Sequence, residues 1–245
     1  MIESFARTKL DLYSRGSRFG CEEACPRYGC KGDLLVSAGL FEILAQGRIL
    51  NKPMAELLGF AYRLSPSADD GLSKVRIRFT LRKPCLFLEG GRTCSIYEAR
   101  PAECALFPEY LGLLPETERR EHCERNGMAG YPCVTDSALS LSPERKETLR
   151  SLQRIHRKEI MATEICLFGV AGFSVDLRQD AAAATEAVGA RIPYEKVEEV
   201  LGSYLARTGL YNTIIERLGV LEKEAEMESF FSALSIAEAL MEASL

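Results

Sequence analysis

The chain has 245 residues, a formal net charge of −4 and 47% hydrophobic residues. That apolar content excludes an intrinsically disordered chain, and the charge balance is not that of a dedicated nucleic-acid binder. Residues 1–140 carry 19 basic and 18 acidic side chains and residues 141–245 carry 12 and 17, so the balance moves from +1 to −5 along the chain. No run approaches the roughly 18 apolar residues of a membrane span, and residues 1–20 lack the apolar stretch of a secretory signal. The expected setting is the cytoplasm, where disulfides rarely persist.

Residues 1–20 read as an amphipathic lead-in, and residues 21–32, "CEEACPRYGCKG", as a cysteine loop. Asp33 is placed to cap a helix running to about Gly47, with Leu34, Leu35, Leu40, Phe41 and Leu44 on its apolar stripe. A second, shorter helix is expected from Pro53 to Arg63. Residues 74–82, "KVRIRFTLR", alternate as a strand: Val75, Ile77, Phe79 and Leu81 on one face, Arg76, Arg78, Thr80 and Arg82 on a solvated one. The Gly90-Gly91 pair in "CLFLEGGRTCSIY" predicts a type I′ hairpin. It sets Glu89 opposite Arg92, Phe87 opposite Cys94, and Cys85 diagonal to Cys94 at roughly 7–8 Å. Arg100 precedes a proline and is biased away from helix. Pro101 then takes the first helical position, and Cys104 falls in the first turn, where the helix dipole favours a thiolate.

After Cys133 the composition changes. Ser142 and Pro143 start a helix reaching about Phe168, and Leu149, Leu152, Ile155, Met161 and Ile165 form its apolar side. Two further helices are expected at 180–190 and 193–209, and helix again from Tyr211. The predicted fold is α+β and predominantly helical. A small antiparallel meander with a hairpin lies in a cysteine-rich metal-binding part, residues 1–140, and an all-helical part follows, residues 141–245.

Eight of the nine cysteines lie in the first 133 residues, spaced C-x3-C-x4-C, C-x8-C-x9-C and C-x18-C-x9-C. In a reducing compartment such clustering points to metal ligation, because thiolates are strong ligands for zinc and for iron–sulfur clusters. The candidate ligands are Cys21, Cys25, Cys30, Cys85, Cys94, Cys104, Cys123 and Cys133. Prolines at 26, 84 and 132 adjoin three of them and stiffen the ligand loops. Arg100 can donate to sulfur and offset the charge of a thiolate site, and Tyr97 can pack over it as a lid. Cys166 reads as a buried small apolar residue, His122 as an exposed side chain with a lesser claim to ligation, and His156 as a surface or core-edge residue. The chain carries no phosphate loop, dinucleotide fingerprint or nucleophile elbow.

The segment "KPCLFLEGGRTCSIYEARPAECALFP", preceded by the cysteine loop, resembles the prokaryotic cysteine-cluster family described as putative zinc- or iron-chelating domains of the CxxCxxCC type. The pattern matches at Pro84, Cys85, Phe87, Leu88, Cys94, Ile96, Tyr97, Arg100, Pro101, Cys104, Phe107 and Pro108, within about residues 21–110. It departs where the family's first block ends in adjacent cysteines, since Lys31 follows Cys30 here. The resemblance implies an iron–sulfur protein, with a [4Fe–4S] cluster, an electron-transfer or other redox role and a protein partner. Structural zinc in a protein-interaction module is the alternative. A more distant resemblance, to flagellin lysine methylases, implies a modifying enzyme with a cysteine scaffold, but no S-adenosylmethionine site is recognisable.

Overall fold

The computed structural model describes residues 27–32, 34–68, 75–134, 139–171, 209 and 212–216. It is α+β and predominantly helical, as the patterning predicts. The lead-in at 1–20, Cys21, Cys25 and the helices expected at 180–190 and 193–209 lie outside the described residues, apart from Gly209.

Helix α1 is a single turn, Tyr28–Lys31, entered through Arg27 in the left-handed conformation (φ 61°). The helix expected from Asp33 instead begins at Leu40: α2 spans Leu40–Leu50, and Ser37–Ala38 before it form the short strand β1. Glu42 supplies the cap, its Oε2 accepting the Gly39 N–H at 3.0 Å. This is the reach-back half of a capping box, and it satisfies a donor that the first helical turn leaves open. Every residue from Leu40 to Gly47 is buried, as expected of a helix enclosed all round. Gln46 meets its polar needs by donating from Nε2 to the Ala99 carbonyl at 3.0 Å.

Helix α3 covers Met54–Phe60, and the chain then enters strand β2, Tyr62–Ala68, where helix to Arg63 is expected. Pro66 within β2 masks the strand in the sequence, because proline removes a ladder donor. Strand β3, Val75–Leu81, lies between β1 and β2 in the sheet order. Phe79 and Leu81 are buried as the alternation predicts. The opposite face is exposed at Arg82, as expected, and differs from the solvated one expected at Arg78 and Thr80. Thr80 is buried and its hydroxyl shares a 2.6 Å hydrogen bond with Ser65, and Arg78 Nε lies 3.0 Å from Glu164 Oε1. Covering that face turns residues with a solvent-facing pattern into paired polar groups.

Strands β4, Leu88–Glu89, and β5, Thr93–Cys94, form the hairpin. Gly90 and Gly91 both have positive φ (56° and 72°), as a type I′ turn requires. The register is displaced by one: Leu88 opposes Cys94 and Glu89 opposes Thr93, with Arg92 as the extra residue. Phe87 is therefore not the partner of Cys94, and the diagonal Cys85–Cys94 relation does not arise from the ladder.

A 3-10 turn, Tyr97–Ala99, leads to helix α4, Ala102–Leu106, and a second, Glu109–Leu113, leads to α5, Glu116–Arg125. A third 3-10 turn, Pro132–Val134, follows before α6, Pro143–Ala171. Ser142 caps α6, its Oγ accepting the Arg145 N–H at 3.2 Å. Ala102, Ala105 and Leu106 of α4 pack against Leu149 and Leu152 of α6. The buried Glu109 forks the Arg145 guanidinium, Nε at 3.0 Å from Oε1 and a second nitrogen on Oε2. A C-β on Gly112 would lie 2.7 Å from the Leu139 carbonyl oxygen, so only glycine lets that segment pass.

The chain forms two compact units, Met1–Leu50 with Leu81–Arg157, and Asn51–Thr80 with Lys158–Leu245. The units interleave along the sequence, and α6 contributes to both. Among the described residues, no helix is long and apolar enough to cross a membrane.

Glu42 also accepts the Ala102 N–H on Oε1, at 2.9 Å, so one carboxylate holds the starts of α2 and α4. Glu42→Ala should lower the unfolding free energy by about 3 kcal/mol, from two charge-assisted bonds lost and two buried donors left open. Urea denaturation checks this, and Glu42→Gln should recover part of the loss.

Candidate metal centre

Cys30 is carried by α1, Cys85 by the turn that follows β3, Cys94 by β5 and Cys104 by α4. Local backbone bonds bring these elements together. The Cys85 N–H donates to the Cys30 carbonyl at 2.8 Å, joining α1 to the pre-hairpin turn. The Leu88 N–H donates to the Cys85 carbonyl at 3.1 Å and closes that turn. Arg27 Nε donates to the Arg92 carbonyl at 3.0 Å, tying the start of α1 to the tip of the hairpin. Cys85 therefore approaches Cys94 through a turn, not through a sheet diagonal.

Cys30 and Cys85 each act on both Cys94 and Cys104. Burial raises the Cys94 pKa, the Ile96 backbone N–H opposes this, Cys85 and Cys30 raise it further, and Arg100 lowers it. Cys104 keeps partial exposure as a residue, yet burial pushes its thiol well up, Lys83 opposing and Cys30, Cys85 and Glu103 adding. The thiolate expected from a helix start is thus not what the enclosed thiol alone would form. Pro101 is the N-cap and α4 has only five residues, so Cys104 does lie in the first turn, but desolvation exceeds the dipole. No three His, Cys, Asp or Glu side chains among the described residues are already placed to hold a metal ion. The four thiols are electrostatic neighbours, not a closed ligand set.

Two cations border this group. Arg100 stacks on Tyr97, its Cζ 4.1 Å from the ring centroid, while lowering the Cys94 pKa. Tyr97 is half exposed and serves as the platform of Arg100. Lys83 Nζ donates to the Gly29 carbonyl of α1 and bears on Cys104. The spacing analysis does not single out Lys83. Its place between α1 and α4 is a tertiary result, and its position two residues before Cys85 is the only local signal.

Cys21 and Cys25 lie outside the described residues. Cys123, on α5, is buried with Leu111, Met128 and Leu139 in an apolar cluster. Its pKa is raised by burial and lowered by Arg119. Cys133 sits in the 3-10 turn Pro132–Val134, on a segment whose Tyr131 stacks on Tyr28 of α1 at 4.7 Å between centroids. His122 is held below its ordinary pKa by burial and then Arg125. His156 is a core-edge residue, as expected: its Nδ1 lies 3.7 Å from Glu42 Oε1 and its Nε2 3.6 Å from Glu103 Oε1. Glu103 also accepts the Ser37 N–H at 2.8 Å, which fixes α4 against β1. The Cys166 side chain lies outside the described residues.

Thiols are the donor type that a thiophilic metal takes. A thiolate at Cys104 without a counter-charge would be costly where it sits, and a bound cation supplies that charge while displacing the proton. Lys83 and Arg100 would offset part of the negative charge of such a site. No family model, curated protein or solved structure matches the chain.

Tyr110 packs beside this region, and burial, then Glu103 and Cys123, raise its pKa from 10.0 to about 12. The unfolded chain releases the phenolic proton near 10 and the folded chain keeps it longer, so the unfolded state binds fewer protons between these values. Stability must therefore fall as pH rises through that window. The protein should lose about 1 kcal/mol more than Tyr110→Phe between pH 9 and pH 11 in urea denaturation.

Proposed function

We propose that Cys30, Cys85, Cys94 and Cys104 hold an iron–sulfur cluster of the [4Fe–4S] type, and that the protein has an electron-transfer or redox-associated role in the cytoplasm. The observation that carries this reading is the 2.8 Å bond from the Cys85 N–H to the Cys30 carbonyl, which holds two thiol-bearing segments against each other. Cys85 and Cys30 each raise Cys94, and both also raise Cys104. The ligands come from α1, a turn, a hairpin strand and α4, a pattern unlike the two tight C-x2-4-C pairs of zinc ribbons. It suits a cluster held by thiolates from separate loops. When bound, the cluster supplies a one-electron carrier.

The chain's own residues bind and orient. The Cys85-to-Cys30 backbone bond fixes two ligand segments against each other. Glu103, through the Ser37 N–H, holds the helix that carries Cys104. Lys83 and Arg100 balance the charge on the sulfurs, and hydrogen bonding and charge of this kind tune a cluster's potential. Cys21 and Cys25 are further thiols for this or a second centre. Cys123 belongs to the apolar core in this reading.

Protein purified without oxygen should be brown, absorb near 400 nm and contain iron and acid-labile sulfide in equal amounts. Cys104→Ser and Cys85→Ser should each lose most of the iron, and Cys123→Ala should keep it while lowering stability by about 1–2 kcal/mol. A colourless protein, or one with stoichiometric zinc and no sulfide, overturns the assignment. Retention of full iron by Cys104→Ser overturns the ligand set.

A further inference from the structure

Two of the thiols are brought together by the backbone itself. The Cys85 N–H donates to the Cys30 carbonyl at 2.8 Å. With standard covalent dimensions, a bond of that length leaves the two α-carbons no more than about 6.7 Å apart. A disulfide spans roughly 4.4–6.8 Å between α-carbons, so the pair lies within its reach. The neighbouring carbonyl of α1, that of Gly29, accepts Lys83 Nζ. Two successive carbonyls of α1 thus hold the segment 83–85, and the Leu88-to-Cys85 bond of 3.1 Å closes the turn behind it.

The side chains of the pair share their surroundings, since Cys30 and Cys85 each act on both Cys94 and Cys104. Both are reduced and partly exposed, whereas Cys123 is buried among Leu111, Met128 and Leu139. Cys94 faces Leu88 across the hairpin and Cys104 lies within α4, so the backbone there holds these two to other residues.

We propose that Cys30 and Cys85 are a redox-modification site: in the metal-free chain they close as a disulfide, which blocks loading of the cysteine centre until a thiol reduces it. The disulfide rests on backbone geometry and exposure, while its effect on loading rests on the iron–sulfur reading. A small-molecule disulfide such as glutathione disulfide is the oxidant. One cysteine sulfur attacks it, forms a mixed disulfide and releases one glutathione. The second cysteine sulfur attacks the first and releases the other glutathione. Two protein thiols are oxidised, one glutathione disulfide is reduced to two glutathiones, and the two thiol protons pass to them. The product has no thiolate to offer at either position, so two of the four proposed ligands are withdrawn. In a reducing compartment such a bond is transient, as redox-sensing disulfides are.

The experiment uses the full chain, stripped of metal with a chelator, reduced without oxygen and equilibrated in glutathione buffers of rising oxidised fraction. Thiols are trapped by alkylation and the chain is cut with trypsin. Arg27 and Lys31 bracket Cys30, and Arg82 and Arg92 bracket Cys85, so the two cysteines fall in separate peptides. Mass spectrometry should find Cys30 joined to Cys85 as the predominant cross-link. Cys30→Ser and Cys85→Ser should each lack it and leave the remaining cysteine carrying glutathione. Loss of a single outer partner of a metal site costs 10–100-fold in affinity, so withdrawal of two ligands should lower iron uptake by at least about tenfold. Dithiothreitol should restore that uptake. Chain already loaded with iron should form the cross-link more slowly.

A predominant cross-link from either cysteine to Cys94, Cys104 or Cys133 overturns the proposal, as do glutathione adducts with no Cys30–Cys85 bond. So does a cross-linked chain that takes up iron as fully as the reduced one. A cross-link in a chain that binds no iron in either state sustains the disulfide and removes the iron–sulfur reading. Iron uptake by a chain that never forms the cross-link removes the disulfide and leaves that reading.

Discussion

The Glu42 carboxylate is the interaction on which the geometry of the cysteine-bearing unit depends. One oxygen accepts the N–H of Gly39 and the other that of Ala102, so a single buried side chain ends the extended approach to α2 and starts α4. Two helix N-termini, each with unsatisfied donors and a partial positive charge, share one negative group. The consequence reaches the thiols, because α4 carries Cys104 two residues beyond Ala102. Glu103 adds a second tether to the same helix through Ser37, and His156 of α6 lies between the two carboxylates. A five-residue helix has little stability of its own. Its position is set by these carboxylates and by the packing of Ala102, Ala105 and Leu106 on α6.

Around that framework the sulfurs and cations stand in opposition. Burial of Cys104 and Cys94 favours the protonated thiol, and each neighbouring cysteine adds to that preference. Lys83 and Arg100 act the other way. The balance favours the protonated thiols, and in the proposed reading a bound cation would displace those protons. Cys123 shows the contrast. It is equally a thiol, and its neighbours are Leu111, Met128 and Leu139, so it behaves as a small apolar side chain.

The fold is legible where a pattern is strictly local. Ser142 and Pro143 start α6, the alternation at 75–81 is β3, and Gly90-Gly91 is the turn with positive φ at both positions. The pattern misleads where a distant group competes. Asp33 is a sound cap by its type, yet Glu42 caps α2 from inside the helix, and residues 36–38 are drawn toward the sheet by the Leu81-to-Val36 bond of 2.9 Å. Pro66 conceals β2, and the extra residue Arg92 moves the hairpin register by one. The cationic row of β3 reads as solvated because nothing near it in sequence announces Glu164, 86 residues away.

For the candidate site, the sequence by itself determined the residue types, their clustering in the first 133 residues and the extended geometry of Arg100 before Pro101, observed with ψ 148°. Those follow from composition and from steric rules that act between neighbours. The neighbours of each thiol come from the fold. It ties the Cys85 segment to Cys30, places Cys123 in the apolar core, and sets Lys83 on the Gly29 carbonyl of α1. The physical reason is distance. A thiol's charge state depends on desolvation and on charges within a few ångströms, and those neighbours lie tens of residues apart along the chain.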